Sequence, residues 1–130
     1  MSTNQKGLKF YDNLDLSQRK NEGELITVYQ KWASLYDKDN DDLLGTVSQP
    51  TAVQIFQEFV KDKKLKIVDV GCGTGLVGQE LKKSGFINFD GIDISQEMID
   101  IAYGRSYQNL FLGNLNESLP FKSKSYDAAL

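Results

Sequence analysis

Histidine is missing from this chain altogether, and cysteine occurs once, as Cys72. The usual catalytic zinc sites are built from histidine and cysteine, so they cannot be assembled from these residues. The commonest general base near neutral pH goes with the histidines. A lone cysteine forms no intrachain disulfide, and with no histidine to activate it Cys72 reads as a small loop residue rather than a nucleophile. No cationic excess exists either: 15 Lys and Arg stand against 18 Asp and Glu, a net charge of −3. That balance, with no basic stripe, disfavours a nucleic-acid partner. No apolar run approaches a membrane span, and the polar start Met1-Ser2-Thr3-Asn4-Gln5-Lys6 is unlike a secretory signal. A reducing, cytoplasmic setting is the expectation.

What remains is ordinary globular composition, 40% hydrophobic and 25% charged over 130 residues. One domain of this size buries roughly two-thirds of its unfolded surface. Residues 1–20 lack hydrophobic periodicity and read as a mobile or loosely docked segment, leaving 21–130 as the folded unit. From Glu22 to about Tyr36, Leu25, Val28, Tyr29, Trp32, Leu35 and Tyr36 recur at helical steps, an amphipathic helix with an aromatic face. The acidic run Asp37–Asp42 reads as a solvated loop. Ser48 and Pro50 then open a second helix, with Ser48 as its cap.

Beyond this the period changes. Leu65–Val70 is a β-branched run stopping at glycine, which suits a buried strand. Leu76–Lys83 is helical, with Gly85 placed to end it. Phe86–Ile94 reads as a second strand, and Ser95 caps a helix that runs through Met98, Ile99 and Ala102. Tyr107–Leu112 and Ser125–Leu130 read as a third and a fourth strand. Alternating strands and helices predict a Rossmann-like α/β fold, a parallel sheet with helices on both faces in three layers, preceded by N-terminal helices.

The informative stretch is Val68-Asp69-Val70-Gly71-Cys72-Gly73-Thr74-Gly75, where a strand hands over to a helix. Ligands of open α/β sheets bind at the carboxyl ends of strands. Glycines there let a ligand approach the backbone. Two frames compete. Gly73-Thr74-Gly75-Leu76-Val77-Gly78 spells the dinucleotide fingerprint, with Asp93 about twenty residues past its first glycine, and so suggests NAD. That fingerprint should follow its strand directly, yet Gly71-Cys72 intervenes, and Asp69 would be a buried carboxylate without a role. In the other frame the loop starts at Gly71, and Asp69 stands at the ligand end of the strand. A ligand with an ammonium and a sulfonium accounts for the acid, whereas a pyrophosphate does not.

The pattern Asp-x-Gly-x-Gly-x-Gly, followed by Gly91-Ile92-Asp93-Ile94-Ser95, resembles the first two motifs of class I S-adenosylmethionine-dependent methyltransferases. Gly113-Asn114-Leu115-Asn116-Glu117-Ser118-Leu119-Pro120-Phe121, then Ser125-Tyr126-Asp127, is similar to their adenine-contacting segment and fourth-strand entry. The helix Tyr29-x-x-Trp32-Ala33-x-x-Tyr36-Asp37 resembles a leader of one branch. Together these segments, about residues 25–130, resemble the methyltransferase-like proteins of the Williams–Beuren critical region.

The resemblance implies S-adenosylmethionine as cofactor and a division of labour. Gly71 and Gly73 would let the backbone meet the amino-acid portion, Gly75 would start the next helix, and Asp69 would orient the loop. Asp93 would accept from both ribose hydroxyls, or else cap the helix after Ser95. Ile94 would pack on adenine, serve as ordinary core, or both. Asn114 stands where the family often has an acid; its side-chain carbonyl can still accept from the adenine amino group. Leu115 would offer a backbone N–H. Trp32 and Tyr36 would close as a lid, or form an ordinary core stripe. The resemblance also implies a seven-stranded sheet, so the chain reads as the cofactor-binding half, truncated after the fourth strand. That would leave an exposed last strand open to self-association. No catalytic residue is evident and the methyl acceptor stays unknown, a small molecule being favoured. A non-catalytic cofactor-binding remnant and an NAD oxidoreductase are the alternatives.

Overall fold

A computed structural model describes residues 22–44 and 47–130. The segment 1–20, read above as mobile, lies outside the described residues. Two helices, α1 (Glu22–Leu44) and α2 (Ser48–Phe59), precede β1 (Ile67–Val70), α3 (Leu76–Lys83), β2 (Phe89–Asp93), α4 (Gln96–Ala102), β3 (Leu110–Leu112) and β4 (Ala128–Ala129). The strands form one parallel sheet in the order β3-β2-β1-β4. The expected strands are all present but trimmed, because laddering begins only where neighbours run side by side, as at Ile67 opposite Phe89.

Two expectations need correction. The acidic run is not a loop, for α1 continues through it to Leu44. Two of its polar side chains are bonded along the helix instead of facing solvent. The Trp32 indole donates to Asp39 Oδ2 at 2.8 Å, and Asn40 Nδ2 donates to the Tyr36 carbonyl at 2.8 Å. Asp39 and Asn40 are both buried. Ser48 does not cap α2 either. Val47 stands at the cap with helical backbone (φ −93°, ψ −27°), so Ser48 is already the first helical residue and no side-chain cap forms.

The fold is the expected Rossmann-like α/β one, a parallel four-stranded sheet preceded by N-terminal helices. In the order β3-β2-β1-β4 the crossovers β1-α3-β2 and β2-α4-β3 advance in the same direction. Both being right-handed, they put α3 and α4 on one face. Among the described residues the β3–β4 connection, 113–127, holds no helix that could cover the other. That segment is pinned instead by Tyr126, whose hydroxyl donates to buried Asp90 at 2.7 Å. Val70 is left 41% exposed.

The core under the helices joins Val53 and Phe56 of α2, Ile67 of β1, Leu81 of α3, and Phe86 and Phe89. Gly85 ends α3 as expected. At φ +88° it lets Phe86 N–H reach the Leu81 carbonyl at 3.0 Å and turns Phe86 back into the core. Ser95 caps α4, its Oγ accepting from Met98 N–H at 3.3 Å, and it is fully buried. Ser95→Ala should therefore cost about 1 kcal/mol of stability, read as a lower urea midpoint with an unchanged slope.

Candidate functional site

A cavity of about 310 Å³ opens over the carboxyl ends of β1, β2 and β3. Each strand sends one segment to its wall: Gly71 and Gly73 after β1, Asp93 and Ile94 at β2, and Gly113 to Asn116 after β3. Helix α1 closes the remaining side with Leu25, Tyr29 and Tyr36. The walls are mostly apolar with few polar groups, the ordinary character of a small-molecule site, and the volume falls at the lower end of the usual range.

The glycines of the first loop play different parts. Gly71 (φ +73°) and Gly73 (φ +53°) adopt the left-handed region, and a Cβ on either would meet nothing within 4 Å. They face open space, so the left-handed backbone and not packing calls for glycine there. A Cβ on Gly75 would lie 2.9 Å from the Tyr107 ring, so this glycine serves packing and stands outside the cavity wall.

Two carboxylates hold the loop, and a third is buried in β1 just before it. Asp93 Oδ2 accepts from Gly73 N–H at 2.8 Å, and its Oδ1 from Ser95 N–H at 2.9 Å. Each oxygen keeps a second lone-pair direction for a ligand hydroxyl. Asp37 of α1 accepts from the Thr74 hydroxyl and forms an ion pair with Arg105. Asp69 lies beneath the loop, 3% exposed, and accepts from the Tyr107 hydroxyl at 2.6 Å.

Of the residues singled out in the sequence, Tyr36, Gly71, Gly73, Asp93, Ile94, Asn114 and Leu115 meet in the cavity wall. Asp69, Gly75 and Trp32 do not. Trp32 is buried behind the wall, edge-on to Tyr36 at 4.8 Å and stacked on Tyr29 at 6.1 Å. Asn114 Oδ1 already accepts from Asn116 N–H at 2.9 Å, which orients the side chain within its turn. Sequence reasoning missed Leu25, Tyr29, Met98, Asp37 and Tyr107. The four-residue stride Tyr29, Ala33, Asp37 was the available sign that α1 continues. Nothing local marks Tyr107, whose surroundings come from distant segments.

Burial raises several ionisations. The Cys72 thiol is pushed up by desolvation and by Asp69 and Asp93, which keeps it protonated. Tyr36 is raised by burial. Among the described residues no group of three or more His, Cys, Asp or Glu is placed to hold a metal ion.

Fold and crevice together define a Rossmann-like, ligand-binding α/β protein. The family described as Methyltransferase domain matches residues 67–130. Human methyltransferase-like protein 27 is 37% identical over 120 residues, 89% of this chain and 46% of that protein. An 18S rRNA (guanine-N(7))-methyltransferase from Bos taurus is 41% identical over 71 residues, 54% of this chain and 25% of that protein. The solved structure of a proposed S-adenosyl-L-methionine-dependent methyltransferase from Methanococcus maripaludis has the same fold. Its TM-score is 0.64 at 19% identity, covering 77% of this chain and 48% of that one. The chain belongs to the class I S-adenosylmethionine-dependent methyltransferases. It spans less than half the length of the human and bovine relatives.

Asp69 gives this site a pH signature. Desolvation, opposed by the Tyr107 hydrogen bond, raises its carboxyl from 3.8 to about 6. A folded-state value above the unfolded one means that the fold prefers the protonated acid. The stability it contributes is complete below about pH 4 and is lost as pH rises through about 6. Relative to Asp69→Asn, the wild-type chain should lose roughly 3 kcal/mol over that interval and then level off, measured by urea unfolding at stepped pH.

Proposed function

We propose that residues 22–130 form the S-adenosylmethionine-binding half of a methyltransferase. The observation that carries the reading is the convergence of Gly71, Gly73 and Asp93 on one open crevice, the two glycines beside open space and the acid accepting from the Gly73 N–H. Asp93 accepts from the ribose hydroxyls with its free lone pairs. Ile94 and Met98 offer apolar surface to the adenine, Leu115 a backbone N–H, and Asn114 an acceptor for the adenine amino group. Tyr29 and Tyr36 close the crevice from α1, with Trp32 bracing them from behind.

When bound, S-adenosylmethionine supplies a methyl group on a sulfonium, already an excellent leaving group. The residues here hold the donor in line and exclude water, which is where the rate advantage of an oriented transfer arises. A chain without histidine is compatible with such chemistry. The net charge of −3 supports a small-molecule acceptor over nucleic acid. The acceptor in the bovine relative's name, rRNA, is the competing class. A cytoplasmic setting fits the single buried thiol; among the described residues no helix is long and apolar enough to cross a membrane. Self-association through β4 stays part of this reading, though a strand of two residues offers a short edge for it.

Calorimetry with S-adenosylhomocysteine should show saturable binding, and NAD should give no heat. Asp93→Ala should weaken binding at least tenfold, about 1.4 kcal/mol. The opposite preference, NAD over the homocysteine ligand, sinks the assignment. Gly73→Val should abolish binding with its far-ultraviolet circular dichroism unchanged, since the side chain would enter the ligand's space at a φ that valine disfavours. Unaltered affinity in that variant would mean that the loop does not touch the ligand.

A further inference from the structure

Asp90, in β2 and 1% exposed, joins two places that lie apart in the sequence. Its Oδ1 accepts from the Asn109 N–H and from the Asn109 side-chain amide, both at 3.0 Å, just ahead of β3. Its Oδ2 accepts from the Tyr126 hydroxyl at 2.7 Å, just ahead of β4. The Lys66 ammonium lies 3.9 Å from that oxygen and 5.0 Å from the centre of the Tyr126 ring. A carboxylate so deeply buried is tolerable only with partners. Asp90 thereby holds the start of β3 and the end of the connection, 113–127, that follows it.

Tyr126 does not line the crevice, yet its ring leads there. It stands edge-on to Phe121 at 5.0 Å, and Phe121 stands edge-on to Phe111 of β3 at 5.7 Å. Beside Phe121, Pro120 closes on Gly113, where a Cβ would lie 3.5 Å from Pro120 Cδ and 2.8 Å from Ile92 Cδ1. Gly113 and Ile92 both line the crevice, and so do Asn114 and Leu115, which come next in the chain. At the near end the Gly113 N–H donates to the Asp93 carbonyl at 2.9 Å, and at the far end Tyr126 is bonded to Asp90.

We propose that Tyr126 is a positioning residue: bonded to Asp90, it holds Asn114 and Leu115 in register with the nucleobase and so sets a preference for adenine over a 6-oxopurine. The inference rests on reading the crevice as an S-adenosylmethionine site. Adenine offers a donor at its amino group and an acceptor at N1, which match the Asn114 carbonyl and the Leu115 N–H. A 6-oxopurine reverses both, and sets acceptor against acceptor and donor against donor. An asparagine could turn its amide over to accommodate the change. This one accepts from Asn116 N–H at 2.9 Å through its Oδ1, and turning over would forfeit that bond. The preference then depends on where the segment stands, since a small shift loosens both bonds to the base.

Calorimetry on the full chain compares S-adenosylhomocysteine with S-inosylhomocysteine, its 6-oxo analogue. The wild-type chain should prefer the adenosyl ligand at least tenfold. Tyr126→Phe keeps the ring contacts and removes only the hydroxyl. Its preference should fall to about threefold or less, through weaker adenosyl binding. The backbone amides of 113–117 should exchange faster in the ligand-free variant, with those of β1 and β2 unchanged. If Tyr126 served stability alone, both ligands would weaken alike or exchange would speed throughout, and either result overturns the proposal. An unchanged preference overturns it too. Should Tyr126→Phe not fold, Phe121→Leu decides: it keeps the bond to Asp90 and cuts the ring relay, so the preference should fall likewise, and a wild-type preference overturns the proposal. A wild-type chain that binds neither ligand sinks the reading of the crevice. One that binds both equally leaves that reading standing and sinks the pairing of Asn114 and Leu115 with the base, and the role of Tyr126 with it.

Discussion

The hydrogen bond from Tyr107 to Asp69 supports everything above it. Asp69 is a carboxylate in the middle of a sheet, 3% exposed, and such a group is tolerable only with a partner. Tyr107 is that partner, and the fold is hollowed out to admit it. A Cβ on Gly75, Gly78 or Gly91 would come within 2.9 Å or less of the Tyr107 ring. Its hydroxyl also accepts from Gly78 N–H at 3.1 Å, and the ring stands edge-on to Phe89 at 5.2 Å. One side chain thus fixes the spacing of β1, the start of α3 and β2. The loop from Gly71 to Gly75 is strung between the elements so fixed.

Above that foundation the loop is held by groups from quite separate parts of the chain. Asp93 reaches it from β2, and Asp37 reaches it from α1 while pairing with Arg105 beyond α4. The ion pair is only partly exposed, so it is less screened than a surface pair. Its position explains why α1, which has no strand to anchor it, can still supply Tyr29 and Tyr36 to the crevice. The aromatic face of the helix and its acidic stretch work together, since the first forms a wall and the second fastens that wall to the loop.

Legibility in the sequence followed the range of the interactions. Where a residue's role is set by its near neighbours, the pattern was readable: the glycine after β1, the Ser95 cap, the Gly85 stop and the strand-helix alternation. Parallel pairing and the crevice at the strand ends followed from that alternation. Where a role depends on distant segments, composition misled. A stretch of Asp and Asn reads as solvent-facing until Trp32, Thr74 and Arg105 are brought beside it. Asp69 was read as a buried carboxylate in need of a partner, and in the fold it accepts from the Tyr107 hydroxyl.

Cys72 bears on how this molecule would be watched rather than on what it binds. Its thiol is buried within the loop itself and held protonated by desolvation and two neighbouring carboxylates. Since the thiolate is the reactive form, alkylating reagents and oxidants have little to attack while the loop is closed. The chain has no other thiol to obscure the signal. The rate at which Cys72 is modified is therefore a clock for the opening of the loop, built into the native sequence and requiring no introduced label.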